Sequence, residues 1–189
     1  MTTTAVEQDL VDLLLAQHSQ IRDLFSEVES STGEQRVDAF NRLVRLLAVH
    51  ETAEEEIVHP LARRTVDGGN GIVDDRLVEE RDAKEQLSAM EKLDPNSAEF
   101  AAALAGLRLA VITHAMHEET YEFRYLRQTV KPAQLRALAA AVKTAEATAP
   151  THPHPAVESA KANLAIGPIA AAFDRAKDLL RDATTRDKD

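Results

Sequence analysis

Apolar residues recur every three or four positions along most of this chain of 189 residues. That spacing places them on one face of an α-helix, whereas no segment alternates as a half-buried strand does. Clusters of turn-forming residues interrupt the pattern at a few points only, for example at 67–71 and 150–155. The sequence therefore predicts an all-α protein.

These interruptions divide the chain into six predicted helices. Their bounds are about 5–30, 34–66, 72–93, 97–128, 132–147 and 157–182. Four long helices joined by short loops indicate an up-down-up-down four-helix bundle. We expect residues 1–130 to form this bundle and residues 131–189 to add two C-terminal helices that pack on it.

Composition and charge exclude several classes of function. The chain has no cysteine, which rules out disulfides, thiolate metal sites and cysteine nucleophiles. Its formal net charge of −10 argues against nucleic-acid and anionic membrane partners. The sequence shows neither a secretory signal pattern nor an apolar run of the ~18 residues that a membrane span needs. We therefore expect a cytoplasmic protein, and a monomer is compatible with the sequence.

Histidine and glutamate interrupt the apolar stripe in the first, second and fourth helices. His18 lies on the stripe of the first helix. The second helix carries His50 with Glu54, and the same His-x-x-x-Glu spacing returns 64 residues later as His114 with Glu118. An i, i+4 pair places imidazole and carboxylate one above the other. One helix could then give a nitrogen and an oxygen to the same metal, or its carboxylate could bridge two metals.

The third helix contributes Glu80, which shares a face with Lys84. An unpaired buried carboxylate destabilises a protein, so a core holding three of them must pair them or hold cations. Nitrogen and oxygen donors without sulfur suit iron, manganese or zinc, and carboxylates able to bridge favour two ions. A metal-free network of buried ion pairs is the alternative.

This pattern resembles the hemerythrin-like (HHE cation-binding) family over about residues 8–128. The segment 50–60 is similar to the family's second-helix signature, with His59 where an aromatic residue is usual. The resemblance implies a hemerythrin-like bundle with a non-haem di-iron centre, in which an oxo or hydroxo group bridges two iron ions. The implied terminal ligands are His18, His50 and His114, and the implied bridging ligands are Glu54 and Glu118.

The chain also departs from the family pattern. The third helix has no histidine, and Glu80 lies where the family usually has a ligand histidine, so Glu80 is either a third carboxylate ligand or a partner of Lys84. Two ferric ions, three glutamates and an oxo bridge leave one positive charge, which tyrosinate from Tyr121 would cancel. His117 borders the stripe and is either a fourth histidine ligand or a hydrogen-bond partner of a ligand. We expect Tyr121 or His117 to tune the site or move protons.

Anionic donors favour ferric iron and so argue against a reversible oxygen carrier, which needs a durable diferrous state. We expect reaction with hydrogen peroxide and oxygen species, most concretely catalase-like decomposition of hydrogen peroxide. One alternative is a protein that binds or senses O2, NO or iron without turnover. A second alternative is a metal-free helical interaction module.

Overall fold

The computed structural model describes residues 8–148, and side chains from 8 to 144. Within that range the chain is helical and contains no strand. The result confirms the predicted all-α fold, a four-helix bundle with a further helix packed on it. The predicted sixth helix, at about 157–182, lies outside the described residues.

The described part of the chain forms five helices in our numbering. They are α1 (Leu10–Ser30), α2 (33–65), α3 (Gly69–Met90), α4 (Ala98–Thr129) and α5 (Pro132–Thr148). Two of them change pitch along their length. In α2 a π-helical turn, Glu54–Val58, separates Gly33–Ala53 from His59–Thr65. In α4 a π-helical turn, Glu119–Phe123, separates Ala98–Glu118 from Arg124–Thr129.

Helix starts and turns set the register of the bundle. Asp9 and Asp12 form a reciprocal capping box at the start of α1. The α2–α3 turn depends on two glycines. Gly68 has a φ of 72°, a left-handed conformation that glycine adopts without strain. A Cβ on Gly69 would lie 2.3 Å from the carbonyl oxygen of Ala62, so only glycine allows α2 and α3 to approach this closely.

Two apolar clusters pack on opposite sides of a polar layer in the bundle. The lower cluster includes Leu14, Ile57, Leu61, Phe123 and Leu126, and α5 adds Leu135, Leu138 and Val142 to it. The upper cluster includes Ile21, Phe25, Leu47, Phe100 and Leu107. Nearly all of these side chains are fully buried, so the layer between them is held from both sides.

Helix α4 is long and apolar enough to cross a membrane by length and composition alone, contrary to the expectation from sequence. Its most apolar window has a mean hydropathy of 1.3. The same helix packs as one of the four helices of the bundle, and its His114 and Glu118 face the polar layer. Length and composition are weak evidence for a span in such a helix.

Candidate metal centre

The polar layer brings together the six residues that the sequence selected as metal ligands. They are His18 from α1, His50 and Glu54 from α2, Glu80 from α3, and His114 and Glu118 from α4. Glu54 and Glu118 are completely buried, and His18, His50 and Glu80 expose no more than 3% of their surface. The register of all four bundle helices therefore converges on one level.

The ligand-type atoms fall into two groups. His18, His50, Glu54 and Glu118 each offer one atom within 4.8 Å of the others, and we call this group the first position. Glu54, Glu80 and His114 form a second such group, which we call the second position. Because Glu54 belongs to both groups, its carboxylate could join two ions. Glu118, which the sequence also predicted as a bridging ligand, belongs to the first group only, although its Oε1 atom lies 3.5 Å from His114 Nε2.

The close approaches within these groups are not hydrogen bonds. The shortest joins His50 Nε2 to Glu54 Oε1 at 2.9 Å, and His18 Nε2 lies 3.3 Å from Glu118 Oε2. Both oxygens of Glu54 and of Glu118, and the Nε2 atoms of His18 and His114, have no hydrogen-bond partner. Buried polar atoms almost always have a hydrogen-bond partner, so six such atoms without one in a single layer indicate that a binding partner is missing. A cation between these atoms would satisfy them, and the donor set therefore fits metal ions.

The Nδ1 atoms of His18, His50 and His114 are each hydrogen-bonded to a different side chain. The Nδ1 contacts are His18 with Glu119 Oε1 (2.9 Å), His50 with Gln17 Oε1 (2.7 Å) and His114 with Glu79 Oε2 (3.0 Å). An ionised carboxylate or an amide oxygen only accepts, so Nδ1–H is the donor in each case. Each ring then presents the lone pair of Nε2 to the centre, the arrangement that metal-bound histidines show.

The charges of the layer depend strongly on one another. Burial lowers the pKa of His50, but the Glu54 carboxylate outweighs it and the pKa is raised. Burial likewise opposes protonation of His114, yet Glu118 and Glu54 hold its pKa well above the usual range. Burial raises the pKa of Glu54, but His50 and His114 bring it well below the ordinary value. Without a cation His50 and His114 therefore tend to retain their protons, and a bound metal would displace them.

A π-helical turn follows the inward glutamate in both α2 and α4. In α2 the backbone N–H of His59 donates to the carbonyl oxygen of Glu54, five residues earlier. In a regular α-helix a residue five positions on would point about 140° away. The wider turn instead brings His59 into the interior, where it exposes 3% of its surface. Such turns occur frequently at functional sites.

A pair that sequence reasoning did not select as ligands lies at the lower side of the layer. His59 Nε2 donates to Glu80 Oε1 at 2.6 Å, and His59 Nδ1 lies 3.4 Å from Glu122 Oε2. Burial disfavours the charged form of His59, but Glu122 and Glu80 raise its pKa to about 10. Burial raises the pKa of Glu122. Sequence analysis identified His59 only as a histidine where the family usually has an aromatic residue. Glu122 could have been found from its spacing, since it follows Glu118 by four residues as Glu118 follows His114.

Glu80 satisfies both interpretations that the sequence left open. It belongs to the second position, and its Oε2 atom lies 3.3 Å from Lys84 Nζ. Lys84 also contacts Glu51 at 3.1 Å and Glu55 at 2.7 Å. Burial raises the pKa of Glu51 to about 7, against the opposing effect of Lys84. Lys84 therefore offsets acidic charge at the edge of the layer.

His117 and Tyr121 lie outside both positions. Tyr121 exposes half of its surface, and its ring centre is 6.2 Å from that of His117. The His117 Nδ1 atom contacts Glu79 Oε1 at 2.8 Å, and Glu79 is the partner of His114. Burial opposes ionisation of Glu79, but His114, Arg76 and His117 lower its pKa to about 2. A hydrogen-bonded chain thus runs from His114 through Glu79 to His117 near the surface.

A small cavity adjoins the upper side of the layer. Its volume is about 20 Å³. Side chains from both positions line it, together with Leu47 and Val111 of the upper cluster and with Ala115. A cavity of ~10–15 Å³ already holds one water. This one has room for a molecule of about that size beside the donor atoms.

This chain is similar to a curated protein and to a solved structure. A DNA nickase from Nostoc sp. (strain PCC 7120 / SAG 25.82 / UTEX 2576) is 25% identical over 141 residues, which are 74% of this chain but only 40% of that relative. A crystal structure of a hemerythrin HHE cation binding domain-containing protein from Mycobacterium kansasii superposes with a TM-score of 0.63 at 17% identity. The aligned region covers 75% of this chain and 90% of that one. The family model of the hemerythrin HHE cation binding domain matches residues 9–126, and the chain belongs to that family.

Proposed function

We propose that this protein holds two iron ions, one at each position, and decomposes hydrogen peroxide. The observation that carries the proposal is the pair of donor groups that share Glu54 and contain buried atoms without partners. Imidazole and carboxylate donors without sulfur suit iron, manganese and zinc, and only the first two change oxidation state readily. Abundant carboxylate favours the higher oxidation state, as a site that meets peroxide requires.

The bound ions would supply the redox change by which two molecules of hydrogen peroxide become two of water and one of O2. The protein's own part begins with holding the ions. His18, His50 and Glu118 would bind at the first position, Glu80 and His114 at the second, and Glu54 at both. Removing any one donor would leave a buried charge or an incomplete site.

Access to the centre is governed by the small cavity. Its volume of about 20 Å³ and its largely apolar wall favour a substrate of two heavy atoms over organic molecules. Hydrogen peroxide and O2 both meet that limit, and NO does as well. The cavity therefore supports a small-molecule reaction without selecting among these three.

Protons have a route between the layer and the surface. His114 Nδ1–H donates to Glu79, and the other Glu79 oxygen accepts from His117 Nδ1–H. His117 exposes about a third of its side chain and can exchange a proton with water. In this proposal His117 carries protons and is not a ligand, and Tyr121 packs beside it.

The test combines metal analysis with a peroxide assay on one sample. Protein from iron-replete cells should contain about two irons per chain, and O2 should evolve when hydrogen peroxide is added. A Glu54→Gln variant purified in parallel controls for free iron. Two retained irons without O2 evolution would reject the peroxide reaction and favour a binder of O2 or NO. Absence of metal would favour the helical interaction module.

DNA cleavage enters as a second candidate because of the name of the Nostoc relative, which is far longer than this chain. Two metal ions can also hydrolyse phosphodiesters. The net charge of −10 opposes binding of a polyanion, so we expect no nucleic-acid partner. Metal-loaded protein should leave supercoiled plasmid intact, and metal-dependent nicking that Glu54→Gln abolishes would overturn this expectation.

A further inference from the structure

Glu122 is a buried carboxylate that the family's ligand pattern does not explain. It exposes none of its surface, and neither of its oxygens has a hydrogen-bond partner. Its nearest basic neighbour is His59, whose Nδ1 atom lies 3.4 Å from Glu122 Oε2 without forming a hydrogen bond. The other nitrogen of that ring is already bonded to Glu80 at 2.6 Å. One imidazole ring thus faces two carboxylates, so His59 compensates the charge of Glu122 only in part.

The surroundings of Glu122 indicate which partner is missing. The carboxylates of Glu54 and Glu118 are close enough to act on it electrostatically, so a fully buried anion faces two others. The second position contains three donors against four at the first. Glu122 is outside both groups of atoms, so its side chain would turn away from His59 to reach an ion. No hydrogen bond would be broken by that movement.

We propose that Glu122 is the fourth carboxylate of the centre and binds the ion at the second position, with His59 as the positioning residue that joins it to Glu80. This inference rests on the proposed di-metal centre. Four carboxylates balance two divalent cations. With two ferric ions and an oxo bridge, three carboxylates leave one positive charge. The fourth carboxylate cancels that charge in place of a tyrosinate from Tyr121. Tyr121, half exposed, is then not required at the centre.

The experiment measures stepwise metal binding rather than activity. Metal-free protein is titrated anaerobically with Fe(II), and the number and affinity of bound ions are determined for wild type and for Glu122→Gln. We expect wild type to bind two ions. We expect the variant to keep one with unchanged affinity and to bind the other at least 10- to 100-fold more weakly, since loss of a residue that only orients a ligand already costs that much. Glu122→Asp keeps the charge and should give an intermediate value.

Controls make the outcomes distinct. Glu99→Gln changes an exposed glutamate at the start of the same helix and should match wild type. The metal-free Glu122→Gln protein should melt no lower than wild type, because burial and the carboxylates of Glu118 and Glu54 disfavour the charge that the variant loses. If the variant does not fold, Glu122→Asp decides the question. If the folded Glu122→Gln protein binds two ions with wild-type affinity, or if Glu122→Asp does so where Glu122→Gln does not fold, this inference alone is overturned. Failure of wild type to bind two ions would overturn the proposed function as well.

Discussion

The two positions share one carboxylate but differ in what else surrounds them. The first position combines His18 and His50 with Glu54 and Glu118, and its donor atoms have no competing hydrogen bonds inside the layer. The second position depends on Glu80, whose two oxygens already contact His59 and Lys84. An ion at the second position must therefore compete with existing cationic partners.

This difference predicts an order of binding. The first position offers two imidazoles whose Nδ1 atoms are held by hydrogen bonds, and two carboxylates whose oxygens accept none, so we expect the higher affinity there. Glu80 already pairs with Lys84, so an ion at the second position must replace Lys84 as the cation that balances the Glu80 charge. The shared Glu54 couples the two events, because one side chain must be oriented for both.

Glu54→Gln should have the largest effect, since it removes the carboxylate common to both positions. We expect loss of both ions. The melting temperature of the protein as purified should fall, because each ion present at 100 times its dissociation constant stabilises by ~2.7 kcal/mol. In the metal-free protein the same change should lower the melting temperature by less, because only the pairing of Glu54 with His50 and His114 is lost there. Glu34→Gln, at an exposed site early in α2, is the matched control. Two ions retained by Glu54→Gln would remove the basis of the comparison.

Glu80→Gln should separate the two positions. We expect one ion to be lost and one retained, measured by metal analysis after gel filtration. The partner control is Lys84→Gln, which removes the ion pair but leaves the donor, and it should keep both ions. If Glu80 serves only to pair with Lys84, Glu80→Gln will instead retain two ions.

Each side chain that accepts a hydrogen bond from a histidine Nδ1 should affect metal binding at one position only. Glu119→Ala removes the acceptor of His18 and should weaken the first position 10- to 100-fold. Glu79→Ala removes the acceptor of His114 and should weaken the second by a similar factor. Stepwise titration distinguishes the two. Equal weakening of both positions by either variant would show that the groups are not separate in the way described.

The metal-free protein should lose stability as the solution becomes alkaline. The pKa of His59 is raised to about 10 from an ordinary value of 6.5, so its protonated form is the one that stabilises the fold. That contribution is fully present below pH ~6.5 and is lost as pH rises towards ~10. Urea unfolding in the presence of a chelator should show this decline, and His59→Gln should reduce it. An unchanged pH profile in His59→Gln would contradict the assignment.

Filling the cavity should leave metal binding almost unaffected. Ala115→Val adds two methyl groups to the cavity wall without touching a donor atom. We expect two ions with wild-type affinities and slower O2 evolution from hydrogen peroxide. Unchanged turnover at unchanged iron content would indicate that the reactant reaches the centre by another way.

Much of this architecture follows from helical spacing alone. The apolar stripes and the few turn clusters predict the four-helix bundle, and the positions where His18, His50 and His114 replace apolar residues identify the layer. The α2–α3 register does not follow from helical spacing, because the close approach at Gly69 depends on backbone contact with Ala62. The fold and the level of the site are therefore readable from the chain.

The lower side of the layer could not be read in the same way. The π-helical turn in α2 changes the residue period locally, and a calculation with 3.6 residues per turn leaves His59 pointing elsewhere. Glu122 keeps an ordinary spacing from Glu118, but nothing in the sequence shows that His59, the basic group beside it, also pairs with Glu80. Residues at the edge of a stripe, such as His117 and Tyr121, depend on rotations too small for sequence spacing to decide.

The central claim is that one carboxylate joins two unequal metal positions. Anaerobic titration of metal-free wild-type protein with Fe(II), followed by metal counting, tests it most directly. The account predicts two ions per chain, bound in two steps with the first clearly tighter. A single ion, no ion, or two ions bound by a Glu54→Gln variant as they are by wild type would contradict it.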